Sequence, residues 1–231
     1  MKPILFNTEM VRAILDGRKT VTRRLVKPRF RPDEWTFQVI TEKHSGKYVR
    51  IEYLNEWEEV TRYMPEPFKP GDILYVRETW THERGEYYYR ADFESDYLSP
   101  CETLSGGYPA DCAYYPGCEG CMRGPQLIGW RPSIHMPKEA ARIFFRVKDV
   151  RAERLQDISA DACAMEGVWP LYAGPVGGRE KYYKIAFAKI WDSTIKPAGL
   201  DTYGWDANPW VWVIEFERIS KEAAMEGGTP V

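Results

Sequence analysis

Apolar residues recur at helical spacing from Met10 to Leu15 (Met10, Val11, Ile14, Leu15), the signature of a helix with one buried face. Asn7 or Thr8 can cap its start and Gly17 stands where the chain leaves it, so a helix is predicted over about 8–16. The period then shortens. Thr20–Val26 is β-prone and stops at Lys27-Pro28, and the runs Phe37–Thr41 and Tyr48–Leu54 flank Ser45-Gly46 as a hairpin would. The Pro- and Gly-rich stretch Met64–Asp72 is turn chemistry; a strand follows over Ile73–Trp80 and another over Tyr87–Ala91. Regular patterning returns at Ile143–Val150 as a strand, Ala160–Met165 as a short helix, Glu180–Trp191 as a longer one and Val211–Phe216 as a last strand. Residues 220–231 are polar and Gly-containing, the composition of a disordered tail.

Short strands with a few helices between them define an α+β fold with a small twisted barrel. One domain is expected over 1–219. Within it, about 92–130 shows little periodicity and much Gly and Pro, and reads as an insertion. Four of the five cysteines lie there, Cys101, Cys112, Cys118 and Cys121, with ten, five and two residues between them. Only Cys118-x-x-Cys121 has zinc-knuckle spacing, yet four thiols in one loop can close a structural zinc site that orders it; free thiols are the alternative. Cys163, in the Ala-rich short helix, reads as core.

Composition narrows the class. The 231 residues are 44% hydrophobic and carry 33 aromatic rings (9 Trp, 15 Tyr, 9 Phe), ample for a core. No run approaches the roughly 18 apolar residues of a spanning helix, and MKPILFNTEM lacks a signal-peptide apolar segment, so the expected compartment is the cytoplasm, with no membrane partner. The net charge of −2 hides an asymmetry: residues 1–30 hold eight basic side chains against Glu9 and Asp16. Such a segment either lines a phosphate-binding surface or is a solvated face.

The densest chemistry is Gly17-Arg18-Lys19-Thr20-Val21-Thr22-Arg23-Arg24. Neighbouring guanidinium groups disfavour a charged Lys19, lowering its pKa and freeing its amine as base or nucleophile. In a regular strand Lys19 and Thr22 would face opposite ways, so serving one pocket requires a turn or bulge after Gly17. The plain alternative is a basic edge strand.

GRKTVTRR after an N-terminal helix, followed by a PxxxGDxLxV strand (Pro67 to Val76), resembles the ASCH domain family, through a G-x-K-x-x-T motif at Gly17, Lys19 and Thr22. WRPSIHMP (Trp130 to Pro137), ERLQDIS (Glu153 to Ser159) and NPWVWVIEF (Asn208 to Phe216) make the chain similar to the longer ASCH proteins of bacteriophages and prophages. The resemblance covers nearly the whole chain outside the cysteine loop and implies a PUA-like β-barrel. One branch is similar to N4-acetylcytidine amidohydrolases, which implies a catalytic set of Lys19, Thr22 and Glu166, with no cofactor required. Other members resemble ribonucleases or RNA-binding modules, so the implied partner is RNA or a modified nucleoside. Without the resemblance, Glu166 reads as a solvated residue at a helix end.

Around this set, Arg18, Arg23 and Arg24 are candidates to bind substrate or an oxyanion. Arg77, Glu78 and Trp80 in VRETW, with Tyr89-Arg90, are candidates to bracket a base, although a strand Trp or Tyr is more often core. Ser133 and His135 in the Pro-rich SIHMP segment are candidate pocket residues, His135 as a second acid or as a structural hydrogen-bonder.

Overall fold

The computed structural model describes residues 1–27, 36–41, 49–54, 60–64, 66–83, 85–94, 96–98, 126–170 and 178–227. In chain order the strands and α-helices are β1 (Lys2–Leu5), α1 (Thr8–Leu15), β2 (Val21–Leu25), β3 (Thr36–Thr41), β4 (Val49–Leu54), β5 (Val60–Met64), β6 (Ile73–Arg77), β7 (Trp80–Glu83), β8 (Glu86–Tyr89), β9 (Tyr97–Leu98), β10 (Gln126–Leu127), β11 (Phe144–Arg154), α2 (Ala160–Met165), α3 (Arg179–Ser193), α4 (Leu200–Tyr203), β12 (Trp210–Ile219) and α5 (Lys221–Glu226). The fold is mixed, with helices packed on a mixed sheet of order β1-β6-β11-β12-β2. Its β1–β6 pair is parallel and its other pairs are antiparallel. The remaining strands form the meander β3-β4-β5 and the pairs β7-β8 and β9-β10; among the described residues no closed barrel forms. No described helix is long and apolar enough to cross a membrane.

Both faces of the main sheet are buried, and alternation along the strands decides which residue goes where, with one break at the β11 bulge between Val147 and Asp149. Along β12, Trp212, Ile214 and Phe216 enter one apolar cluster and Val211 and Val213 another. The first cluster lies beneath α1, where Val11 and Ile14 meet Leu74, Val76 and Phe145; Phe145 stacks on Phe216 with centroids 4.1 Å apart. The second packs the sheet against α2 and α3 through Cys163, Tyr183, Phe187 and Trp191. A third gathers Ile73, Tyr75 and Phe144 with Trp80, Met136 and Ala224. Each large side chain so buried contributes about 1.5–3 kcal/mol.

Several boundaries move. The run expected as one strand over Ile73–Trp80 ends at Arg77 and restarts at Trp80. There Trp80 bridges to Arg131, and its chain neighbours turn away from the main sheet. β11 and β12 extend beyond their apolar centres because their mutual pairing runs from Phe144↔Ile219 to Arg154↔Trp210. β1 and β5 had no signal above turn-rich surroundings. The tail is the clearest correction: its first residues form α5, capped by Ser220 and anchored by the fully buried Ala224. An apolar seat on Ile73 and Phe144 orders a segment whose composition is polar.

Ending the chain at Ser220 is expected to remove this anchor and lower the melting temperature by at least about 2 °C, the shift that ~1 kcal/mol gives in a chain of this size. A scanning calorimetry trace unchanged by the truncation would contradict the docked helix.

Candidate functional site

Asn7 caps α1 with its side-chain oxygen accepting from the Met10 N–H at 2.9 Å. The helix ends at Asp16, and Gly17, at φ +74°, turns the chain back so that the Arg18 and Lys19 N–H groups both donate to the Ala13 carbonyl. Lys19 therefore precedes β2 instead of lying in it, and forms an isolated antiparallel bridge with Glu166. Thr20 N–H donates to the Met165 carbonyl at 2.8 Å, tying β2 to the end of α2. The chain thus departs from strand geometry between Gly17 and Thr20.

Glu166 closes α2, and its carboxylate is buried with Lys19 and Arg23. The Lys19 ammonium donates to Glu166 Oε2 and also to the Glu166 carbonyl at 3.1 Å. Arg23 Nη1 donates to Glu166 Oε1 at 3.1 Å, and Arg23 Nε to Glu153 Oε1 at 3.1 Å. A carboxylate at a helix C-terminus opposes the helix dipole, and these two cations offset that penalty. Burial lowers the pKa of Lys19, Glu166 pulls it back up, and Arg24 and Arg23 push it down to a smaller degree. The expected cause, crowding by arginines, is therefore secondary to desolvation. Arg18 takes no part in it: it pairs with Asp16 at 2.7 Å and donates to the Gly167 carbonyl at 3.1 Å.

Gly167 makes the junction possible. Its φ is +84°, and a Cβ there would stand 2.8 Å from the Ala13 Cβ and 3.2 Å from the Lys19 Cβ. Only a residue without a side chain allows α1, Lys19 and the end of α2 to meet this closely.

A cleft of about 860 Å³ opens over this junction, and Phe6, Thr22, Arg24, Glu166, Trp169 and Trp191 are among its walls. Lys19 lies beneath the wall, with no side-chain exposure. Thr22 is buried apart from the surface it gives the cleft, and among the described residues its hydroxyl has no hydrogen-bond partner. Arg24 donates to the Leu5 carbonyl at 2.5 Å and lies 5.0 Å from the Phe6 ring centroid. Among the described residues it is the cleft arginine without a carboxylate partner.

Of the other candidates, Ser133, Arg18 and Arg23 are among the lining residues of the cleft, whereas His135 is exposed and outside it. Arg77 donates to the Ile134 carbonyl at 3.2 Å, steadying that segment. Glu78 and Trp80 are not cleft residues. Glu78 is 1% exposed and holds Arg142 at 2.9 and 3.0 Å, and Arg142 reaches on to Asp92 at 2.7 Å and lies over the Tyr89 ring. Burial raises the Glu78 pKa against the pull of Arg142. Trp80 is 5% exposed in the third cluster, beneath Arg131, and cannot stack a base. Arg90 is tied to Asp96 and to the Phe93 carbonyl. Cys163 is buried core, its thiol pushed up to about 12 by burial. Cys101, Cys112, Cys118 and Cys121 lie outside the described residues. Among those described, no group of three or more His, Cys, Asp or Glu is placed to hold a metal.

Sequence reasoning missed the aromatic end of the cleft, Trp169 and Trp191, and the Glu153 partner of Arg23. Trp191 follows helical spacing from Phe187 and looks like core, which it also is. Trp169, before Pro170, carried no periodic signal at all. Comparison of the chain with family models, curated proteins and solved structures returned no match.

Gly167→Ala is expected to lower stability by about 1–3 kcal/mol, from left-handed strain and the Ala13 contact, measured by urea unfolding. Glu166→Ala leaves buried cations unpaired and should cost about 3–5 kcal/mol, whereas Lys19→Met combined with Glu166→Leu should cost less than Glu166→Ala alone. A double variant weaker than Glu166→Ala would show that the pair is not isolated in this way.

Proposed function

We propose that the cleft is a nucleoside-binding active site in which Lys19, Thr22 and Glu166 hydrolyse the N4-acyl amide of a modified cytidine. The observation that carries this is the buried Lys19–Glu166 pair lying under a cleft that Glu166 and Thr22 both line. A volume of about 860 Å³ suits a small organic ligand. The ASCH resemblance, and with it a PUA-like architecture, belongs to the same proposal.

The chemistry follows from one proton shared by the pair. Burial favours neutral forms, so passing the proton from Lys19 Nζ to Glu166 leaves an amine base beside a carboxylic acid. The amine takes a proton from the Thr22 hydroxyl or from a water, whose oxygen attacks the acyl carbonyl carbon. The carbonyl π pair moves onto oxygen, and Arg24, which has no carboxylate partner among the described residues, can donate to that oxyanion. As the pair returns, the bond from carbon to N4 breaks and N4 takes the Glu166 proton, giving the free exocyclic amine. If Thr22 attacked, a water removes the acyl group from it by the same exchange, and the products are cytidine and a carboxylate.

The charges in the cleft favour a nucleoside over an RNA strand. Arg18 and Arg23 are already paired with carboxylates, and Glu9 adds a negative charge to the wall. Little cationic capacity remains for phosphates, which an RNA-binding module or a ribonuclease would need. His135, the candidate second acid, is outside the cleft.

Incubation with N4-acetylcytidine, followed by chromatography, should show cytidine and acetate. Lys19→Ala and Thr22→Ala should each lose about 10²-fold or more in kcat/KM, with Thr22→Ser largely active. Because the pair must hold the proton that N4 takes, the rate should fall as pH rises through the Lys19 pKa, which burial sets below the ordinary lysine value of 10.5. Folded protein that leaves the substrate intact but binds oligonucleotides in a salt-dependent way would overturn the hydrolase reading in favour of an RNA-binding module.

A further inference from the structure

Trp169 is 72% exposed, more than any other large apolar side chain among the described residues, yet it lines the cleft. Its position is held firmly from below. Glu166 and Val168 are buried on either side of Gly167, and the Val168 N–H donates to the Cys163 carbonyl at 3.1 Å. The Trp169 ring meets Tyr183 edge to face at 6.0 Å and 71°, and Tyr183 is itself buried in the second cluster. Pro170 restricts the Trp169 backbone to extended conformations, so little entropy is lost on fixing it. An indole this exposed adds little to the core; a wide π surface beside a cleft is what stacking on a planar heteroaromatic ring requires.

Placement ties the ring to the chemistry. Trp169 stands three positions after Glu166, a span of at most about 11 Å of extended chain, within one bound nucleoside's reach. The cleft is also lined by Asn7, Thr79 and Ser133, polar groups suited to a sugar. We propose that Trp169 is the aromatic platform of the cleft, on which the base of the nucleoside stacks and which sets the preference for planar heterocycles. This rests on the reading of the cleft as a nucleoside site, but not on hydrolysis occurring there.

Binding of cytidine and of N4-acetylcytidine to the full chain, measured by isothermal titration calorimetry, tests it with Trp169→Ala and Trp169→Phe. An exposed side chain can be removed without unfolding the protein, which thermal melting would verify. Trp169→Ala should weaken both ligands by roughly ten-fold or more, while Trp169→Phe stays within a few-fold of the parent. In turnover the loss should fall on KM, with kcat held within a few-fold. Equal affinity in the parent and Trp169→Ala overturns the platform, as does equal loss in the Ala and Phe variants. Binding that depends on Trp169 without any turnover supports it while overturning the hydrolase proposal; no nucleoside binding by the folded parent overturns both.

Discussion

A lysine with no exposed side-chain surface, held against a glutamate at a helix end, is the constraint around which the rest of the site is arranged. Removing two charges from water carries a desolvation penalty of several kcal/mol per ion, which their attraction offsets only if geometry and further hydrogen bonds are good. Here both carboxylate oxygens are engaged, one by Lys19 and one by Arg23, and Arg23 is held in turn by Glu153. Such an arrangement admits few alternatives. It requires Gly167 at the closest approach, a left-handed turn at Gly17 and an α2 that ends at Glu166.

The two-faced sheet supplies the rigidity behind that junction. β2 is an edge strand whose residues alternate between the layers: Val21 enters the cluster under α2 and α3, and Val26 just beyond it enters the cluster under α1. Arg23 accordingly reaches toward Glu166 and the Phe187 ring, while Arg24 turns toward Phe6. The cleft is the gap left where α1 and α3, each packed on its own face, diverge around that edge. Its aromatic end comes from α3 and the segment after α2, and its polar end from the β1–α1 corner and the Ser133 turn.

Much of this was legible along the chain. The α1 cap, the Gly17 exit, α2, α3 and the centres of β2, β11 and β12 follow from periodicity and turn chemistry, because those elements are amphipathic or carry their own stop signals. The same rules fail where a long-range partner decides. Trp80 and Glu78 look like candidates to bracket a base in VRETW, yet Arg131 and Arg142, over fifty residues away, make them structural. α5 is polar in composition and is ordered by one buried alanine. Trp169 has no pattern, since an exposed ring packs on nothing that repeats.

The sequence alone determined which residues carry charge, that the first thirty are basic, and that a helix must end at Gly17 just before a lysine and a threonine. Those are local properties, set by side-chain identity and short-range sterics. Only the tertiary structure decided what the basic segment does. Arg18 pairs with Asp16 at the surface, whereas Lys19 and Arg23 are spent internally on Glu166, because a buried cation without a partner is costly to keep. That pairing joins residues almost 150 positions apart, and no local pattern specifies a distance of that kind.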